Sequence, residues 1–277
     1  MQDASAYCAE LVRAADRDRY LAALFAPAEF RGALHALYAF DIEVRRVREA
    51  AREPLPGEIR LQWWTDVLTG ERREEANANP VAAALLATID KHRLAAGILL
   101  DLIEAHRFDL YDDPMASVAE LETYAKQTSS ALFALSAQIL GGEAAAAAEP
   151  AGIAETVTRL LQAFPLHAAR GQLYVPSEIL DRHKVAPHQI FSGQSSAGLD
   201  TALVELGGLA RRHLAAAGEK ISTLPREALP AFLPLAPLPA SLDRLRRSDA
   251  FSPAELPPWR RQWLIWRASR NPARIAG

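Results

Sequence analysis

At 277 residues and a formal charge of −3, the chain is long enough to bury a large core and too acidic for a general nucleic-acid binder. Half of its residues are hydrophobic and 23% are charged, an ordinary globular balance. Its one cysteine, Cys8, excludes an intrachain disulfide and a thiolate metal cluster, so a reducing compartment is expected.

Taken in order, the first ten residues hold neither a basic n-region nor an apolar h-region, and no signal peptide is expected. Helical periodicity dominates the rest. Leu94, Ile98, Leu102 and Ala105 share one face, and Leu121, Tyr124, Thr128, Leu132, Leu135 and Ile139 share the next. Turn formers break the pattern at Glu53-Pro54-Leu55-Pro56-Gly57, Asn77-Ala78-Asn79-Pro80, Asp112-Asp113-Pro114, Gly141-Gly142 and between Gly193 and Gly198. These signals predict about eight to ten helices of roughly 10–25 residues and no sheet. The Ala144–Ala148 run reads as a surface loop entering a helix. Leu224–Ala240, with five prolines, reads as an apolar loop packed on the body. No apolar run of about 18 residues is present, so a spanning helix is not expected. No long polar linker divides the chain, which predicts one domain over 1–277 with a basic, tryptophan-rich C-terminal segment, 257–277. A cytoplasmic location is expected, with peripheral attachment to an inner membrane left open.

The most informative stretch runs from Ala36 to Glu49. Together with Tyr20-Leu21-Ala22-Ala23-Leu24-Phe25-Ala26-Pro27 and Arg31, its Ala36-Leu37-Tyr38-Ala39-Phe40 lead-in resembles the opening of the squalene/phytoene synthase family. The resemblance continues through Trp63-Trp64 with Asp66, Leu102-Ile103-Glu104 to Asp109-Leu110, Tyr124 to Gly142, and Arg170-Gly171-Gln172-Leu173-Tyr174-Val175-Pro176. It covers roughly residues 15 to 220. It implies an all-α isoprenoid synthase fold around a central cavity, in which two aspartate-rich motifs hold the magnesium that activates prenyl diphosphates.

Registered on those anchors, the first motif falls on Arg45, Arg46 and Glu49, and the second on Ala163, Leu166 and His167. One of six expected carboxylates remains. A guanidinium pair repels the dication that a carboxylate pair attracts. No catalytic residue, no metal and no cofactor is therefore expected, and magnesium enters only if the chain is an enzyme after all. Pro165 is expected to kink the helix carrying the second motif.

Two readings of the arginines stand side by side. Asp41, Arg45 and Glu49 lie at i, i+4 spacing and suit ordinary helix-surface ion pairs. Alternatively, Arg45 and Arg46 grip an anionic headgroup without metal, with Arg31, Tyr38, Asp41 and Tyr174 as further ligand-binding candidates. An enzyme would have to draw carboxylates from Asp41, Glu43, Glu49 and Asp66. His35, His92, His106, His167 and His183 lack zinc-ligand spacing. Asp109, Asp112 and Asp113 read as a helix end and turn, and Thr128-Ser129-Ser130 as close packing. No P-loop, dinucleotide fingerprint or nucleophile elbow is present.

At the C-terminus, Trp259, Trp263 and Trp266 recur at i, i+4 and i+7 beside Arg260, Arg261, Arg267 and Arg270. That combination suits an anionic membrane surface or a protein partner; the plainer alternative packs the tryptophans on the body. The resemblance extends to a degenerate branch of the family, similar to the mitochondrial assembly factor for respiratory NADH dehydrogenase (complex I). It implies a non-catalytic chain with a protein partner. The alternatives are a head-to-head prenyltransferase and an isoprenoid- or lipid-binding protein; nucleic acid is not an expected partner.

Overall fold

The structure is a computed structural model and describes residues 4–51 and 53–277. Among these residues the regular structure is helical, the one exception being an isolated bridge between Asp249 and Ser252. Seventeen α-helices occur among the described residues, more and shorter than the periodicity predicts. The surplus consists of short helices of four to seven residues set between the long ones. Pro187 begins a five-residue helix and Pro176 caps a six-residue one, because proline's fixed φ suits a helix start.

The Ala28–Arg45 helix is central. From Ala33 to Ile42 every residue is buried, so it has no solvent face over most of its length. Ala4–Ala15 packs along it, and Ala145–Gln162 packs extensively on the long Ala197–Ile221 helix. Ala28–Arg45, Ala96–Arg107, the run 118–139 and Ala145–Gln162 surround a central cavity.

Three expectations are corrected. Ala145–Ala148 is the first turn of a helix, with Ala147 and Ala148 buried; small side chains there allow close packing. Leu224–Ala240 does pack on the body, but as a 3₁₀ helix, Arg226–Leu235, followed by the Leu238–Leu245 helix. Proline lacks the donor that a regular α-helix needs, and the tighter turn accommodates it. Phe232 of this segment stacks on Phe133 at 5.5 Å. Finally, Pro165 kinks nothing: Ala145–Gln162 has ended, and Pro165 stands in the first turn of a new helix, Phe164–Ala169.

The run 118–139 is α-helical at both ends and π-helical at Lys126–Ser130. Gly152 lies against this π turn, so close that a Cβ there would come within 2.1 Å of the Ser130 backbone nitrogen. Thr156 Oγ1 donates to Ser129 Oγ (2.9 Å), and Ser130 Oγ donates to the Glu149 carbonyl (2.8 Å). Of the three small polar residues read as packing, Ser129 and Ser130 thus also bond the two cavity walls together, while Thr128 Oγ1 donates back to the Tyr124 carbonyl of its own run (2.7 Å).

Candidate functional site

Below the cavity lies a buried ionic network. Arg19, 2% exposed, donates through Nη2 to Glu155 Oε2 (2.6 Å) and through Nη1 to Asp16 Oδ2 (3.0 Å). Asp16 also caps the Arg17–Ala23 helix by accepting the Arg19 amide. Arg45 Nε donates to Asp41 Oδ2 (2.7 Å), while its Nη2 stands 3.8 Å from Asp16. Burial pushes the Asp16 carboxyl up, but Arg19, Arg45 and Arg159 outweigh it and hold the pKa at about 2. Burial likewise opposes the charged form of Asp41, and Arg45, then Arg19, overcome it.

Because the Asp16 pKa lies below its unfolded value of 3.8, its stabilising effect is complete above that pH. It is lost as the pH falls toward 2, and amounts to about 2 kcal/mol. The difference in urea midpoint between the native chain and Asp16→Asn should therefore shrink from pH 5 to pH 2. A constant difference would show that the charge plays no part.

The cavity above this network measures about 210 Å³. Arg45 lines it, with Arg48, Arg159 and Arg170. Arg48 reaches Asp112 (3.2 Å), and Arg170 stands 4.0 Å from Glu49. The Arg159 side chain is half-buried, and its guanidinium has no hydrogen-bond or ion-pair partner among the described residues, though the charges of Glu155 and Asp41 act on it. Burial and the nearby Arg45 guanidinium lower its pKa.

Asp109 organises the far side. Its carboxylate meets His106 Nδ1 at 2.6 Å and accepts from Tyr174 Oη (2.6 Å) and Tyr124 Oη (3.1 Å), and Gln172 Nε2 donates to its carbonyl (3.0 Å). Asp109 does stand in the 3₁₀ turn that ends the Ala96–Arg107 helix, but its side chain is buried; Asp112 and Asp113 are the exposed pair. Burial, reinforced by Asp109, raises the pKa of both tyrosines, which stay neutral. His167, its ring tilted against Tyr174 with centroids 4.6 Å apart, is pushed down to about 4 by burial and is neutral near pH 7.

Of the sequence-predicted residues, the structure brings Asp41, Arg45, Glu49, Ala163, Leu166, His167 and Tyr174 to the cavity. Arg46 lies elsewhere, in a surface recess with Glu43, Arg60, Trp63 and Trp64. Asp66 is held by Gln62 and Arg72 away from the cavity. Arg31 donates to the Ala26 carbonyl (2.9 Å), closing the turn before the central helix. Tyr38 is buried under the Arg19 guanidinium, 5.6 Å from its ring centroid. The Asp41–Arg45 pair forms, but inside the protein instead of on a helix surface. The helix breaks at Arg46, so the expected Arg45–Glu49 pair gives way to the Glu49–Arg170 approach.

Sequence reasoning missed Arg19, Asp16, Glu155 and Arg159. Asp16 carried a usable signal as a helix cap before Arg17–Ala23; the other three match no spacing that points to chemistry.

A magnesium clamp requires several oxygen donors converging on one point. Among the described residues no group of three or more His, Cys, Asp and Glu side chains could hold a metal ion. Of the cavity carboxylates, Asp41 is bonded to Arg45 and Asp109 to a histidine and two tyrosines, while Glu49 stands apart beside Arg170. These residues do not fit the metal.

The C-terminal Pro258–Arg270 helix buries Ile265 and Ala268 and turns its tryptophans outward, with Trp259, Trp263 and Trp266 at 68%, 45% and 50% exposed. Packing of these rings on the body is thereby corrected. Arg267 lies 4.9 Å over the Trp263 ring and Arg270 5.9 Å over Trp266. Arg261 is committed inward to Asp18 and ties the helix to the body; Arg260 is half-buried. Among the described residues no helix is long and apolar enough to cross a membrane.

An all-helical shell around a polar central cavity is the isoprenoid synthase fold. A crystal structure of a dehydrosqualene synthase superposes with a TM-score of 0.84 at 16% identity, covering 97% of this chain and 96% of that one. The squalene synthase of Alicyclobacillus acidocaldarius superposes with 0.76 at 22% identity, over 91% and 95%. Residues 12–267 match the squalene/phytoene synthase family, and the chain belongs to it. It is also similar to the complex I assembly factor 6 of Rattus norvegicus, at 31% identity over 250 residues, 89% of this chain and 75% of that protein.

Proposed function

We propose that this chain is a non-catalytic member of its family, a single domain that assists assembly of respiratory NADH dehydrogenase through a protein partner. The likeness to complex I assembly factor 6 along most of the chain carries the reading. The cavity agrees with it. Arg45, Ala163 and His167 stand where the family's motif register calls for carboxylates. A volume of about 210 Å³ is also small against the roughly 300–1,000 Å³ of pockets for drug-sized ligands, whereas a prenyltransferase must hold two prenyl chains.

Deleting the gene in its source organism should deplete assembled NADH dehydrogenase, read by native gel and by membrane NADH:quinone activity. The wild-type chain should restore both. Normal assembly in the deletion strain would sink the proposal. Diphosphate release from farnesyl or geranylgeranyl diphosphate with magnesium would put the prenyltransferase reading in its place.

The same reading puts forward a cytoplasmic, peripheral position at the inner membrane, with the Pro258–Arg270 helix as the contact. Outward tryptophans stacked with Arg267 and Arg270 are complementary to an anionic lipid surface. Each basic residue near such a surface contributes about 1 kcal/mol. Arg267→Gln/Arg270→Gln should therefore weaken sedimentation with phosphatidylglycerol vesicles about thirtyfold. Equal binding by the variant, or equal binding to neutral phosphatidylcholine vesicles, would count against the placement.

A further inference from the structure

We propose that a second pocket, across the Ala145–Gln162 helix from the central cavity, binds a single-chain amphiphile with an anionic head. The proposal reaches beyond the assembly role and does not depend on it. The pocket lies between the Ala197–Ile221 helix and residues 242–253 and measures about 520 Å³, more than twice the central cavity. That volume falls within the roughly 300–1,000 Å³ usual for ligand sites. The two spaces are separate. Arg159 and Leu160 line the central cavity, whereas Leu161 belongs to the lining of the second.

The floor is apolar and deep. Leu161, Leu203, Leu242 and Leu245 line it together with Gly207 and Gly208. Two adjacent glycines inside a 25-residue helix weaken it, because glycine loses more backbone freedom on folding than alanine does. Close packing does not call for them. Within 4 Å, a Cβ on Gly207 would meet only Leu161 Cδ1, at 3.8 Å, and one on Gly208 only Arg212 Nη1, at 3.7 Å. Both are ordinary contacts. What the missing side chains provide is open depth between leucines, a space that favours an alkyl chain over water.

The charges are sorted along the pocket. Asp200, Leu203, Val204, Gly207, Gly208 and Arg211 recur on one face of the Ala197–Ile221 helix. Asp200 and Arg211 therefore stand about 16 Å apart along its axis. Asp249 joins the acidic end, where it accepts from Ser195 Oγ (3.2 Å) just before the helix. Of the three arginines, only Arg211 is spent on a carboxylate, that of Asp243 (2.8 Å). Arg246 and Arg247, in the turn after Asp243, are exposed, and their guanidinium groups make no hydrogen bond or ion pair with a described residue. A carboxylate or phosphate head meets their forked donors, while their stems cover the start of the chain. The two aspartates repel the same head from the other end, which leaves the ligand one orientation.

The test is calorimetric titration of the full chain with dodecanoate below its micelle concentration. Saturable binding is expected. Hexanoate, with a much shorter chain to bury, should bind at least a hundredfold more weakly. Dodecyltrimethylammonium keeps the chain but reverses the head, and should bind at least tenfold more weakly. Arg246→Gln/Arg247→Gln should weaken dodecanoate about tenfold and leave the melting temperature of the free protein unchanged, since both side chains are exposed. Gly208→Leu fills the floor and should abolish binding; the double arginine variant keeps the proposal falsifiable should Gly208→Leu not fold. Lysophosphatidylglycerol with the same acyl chain separates the two sources of such a head. Tighter binding than dodecanoate identifies a phospholipid, and equal or weaker binding a free fatty acid. Failure of dodecanoate and the lysolipid to saturate, equal affinity for the ammonium amphiphile, or full affinity in either pocket variant would overturn the proposal.

Discussion

Glu155→Ala should destabilise the protein by about 3 kcal/mol or more, the cost of breaking a buried ion pair from one side. Arg19 is almost wholly enclosed, and its shortest bond is the one to Glu155 at 2.6 Å. Burial opposes its charge, and Glu155 contributes most to overcoming that penalty, ahead of Asp16 and Asp41. With Glu155 gone, Arg19 keeps only Asp16, which also serves Arg45. The neighbouring rings of Tyr38 and Phe133, 5.6 and 5.9 Å away, attract the guanidinium but cannot accept its hydrogen bonds. At roughly 2–4 °C per kcal/mol for a chain of this size, the melting temperature should fall by about 6–12 °C. Removing both charges in Arg19→Met/Glu155→Leu should recover much of the loss, since no unpaired charge is then left inside. A single variant within about 1 kcal/mol of wild type by urea unfolding would mean that water reaches Arg19.

Gly152→Ala should be comparably severe for a steric reason. The added methyl would lie 2.1 Å from Ser130 N, 2.2 Å from its Oγ and 2.3 Å from its Cα. Two of these are backbone atoms, so no rotamer change relieves the contact and the helix must lift away from the π turn. Overpacking of this kind costs about 3 kcal/mol at the upper end of its usual range. The same displacement pulls Thr156 from Ser129 and widens the cavity. Gly207→Ala is the control: its Cβ would meet only Leu161 Cδ1, at an ordinary 3.8 Å. Within the Ala197–Ile221 helix it should stabilise by about 0.5–1 kcal/mol. Equal unfolding midpoints for the two variants would refute the close approach at Gly152.

The helical class and the family were legible because both rest on local pattern. The Ala36–Phe40 lead-in, the periodic segments and the Arg170–Pro176 stretch each carry their signal within a few turns of chain. The site was legible in part. Arg45 stood out because it replaces an expected carboxylate, but Arg46 keeps a helical backbone and, about 100° further round, lies in another recess. Arg19 and Glu155 are 136 positions apart, and no spacing rule joins them. Arg159 lies just before the second motif, outside the positions that the register marks. Asp109 looked like a turn because three acids precede Pro114, and its environment depends on Tyr124 and Tyr174, brought in from other segments.

The π turn at Lys126–Ser130 also sets a phase. A π turn holds one residue more than the α-helical ladder around it, and each residue in such a ladder turns the chain by about 100°. Excising one residue there would leave a continuous rod, yet would rotate Tyr124 about 100° relative to Ser129. The two polar anchorages of this wall, Tyr124 on Asp109 and Ser129 with Thr156, coexist only because the helix changes pitch between them. That extra residue works as a phase adjuster, so length in this segment is more tightly constrained than the identity of its side chains.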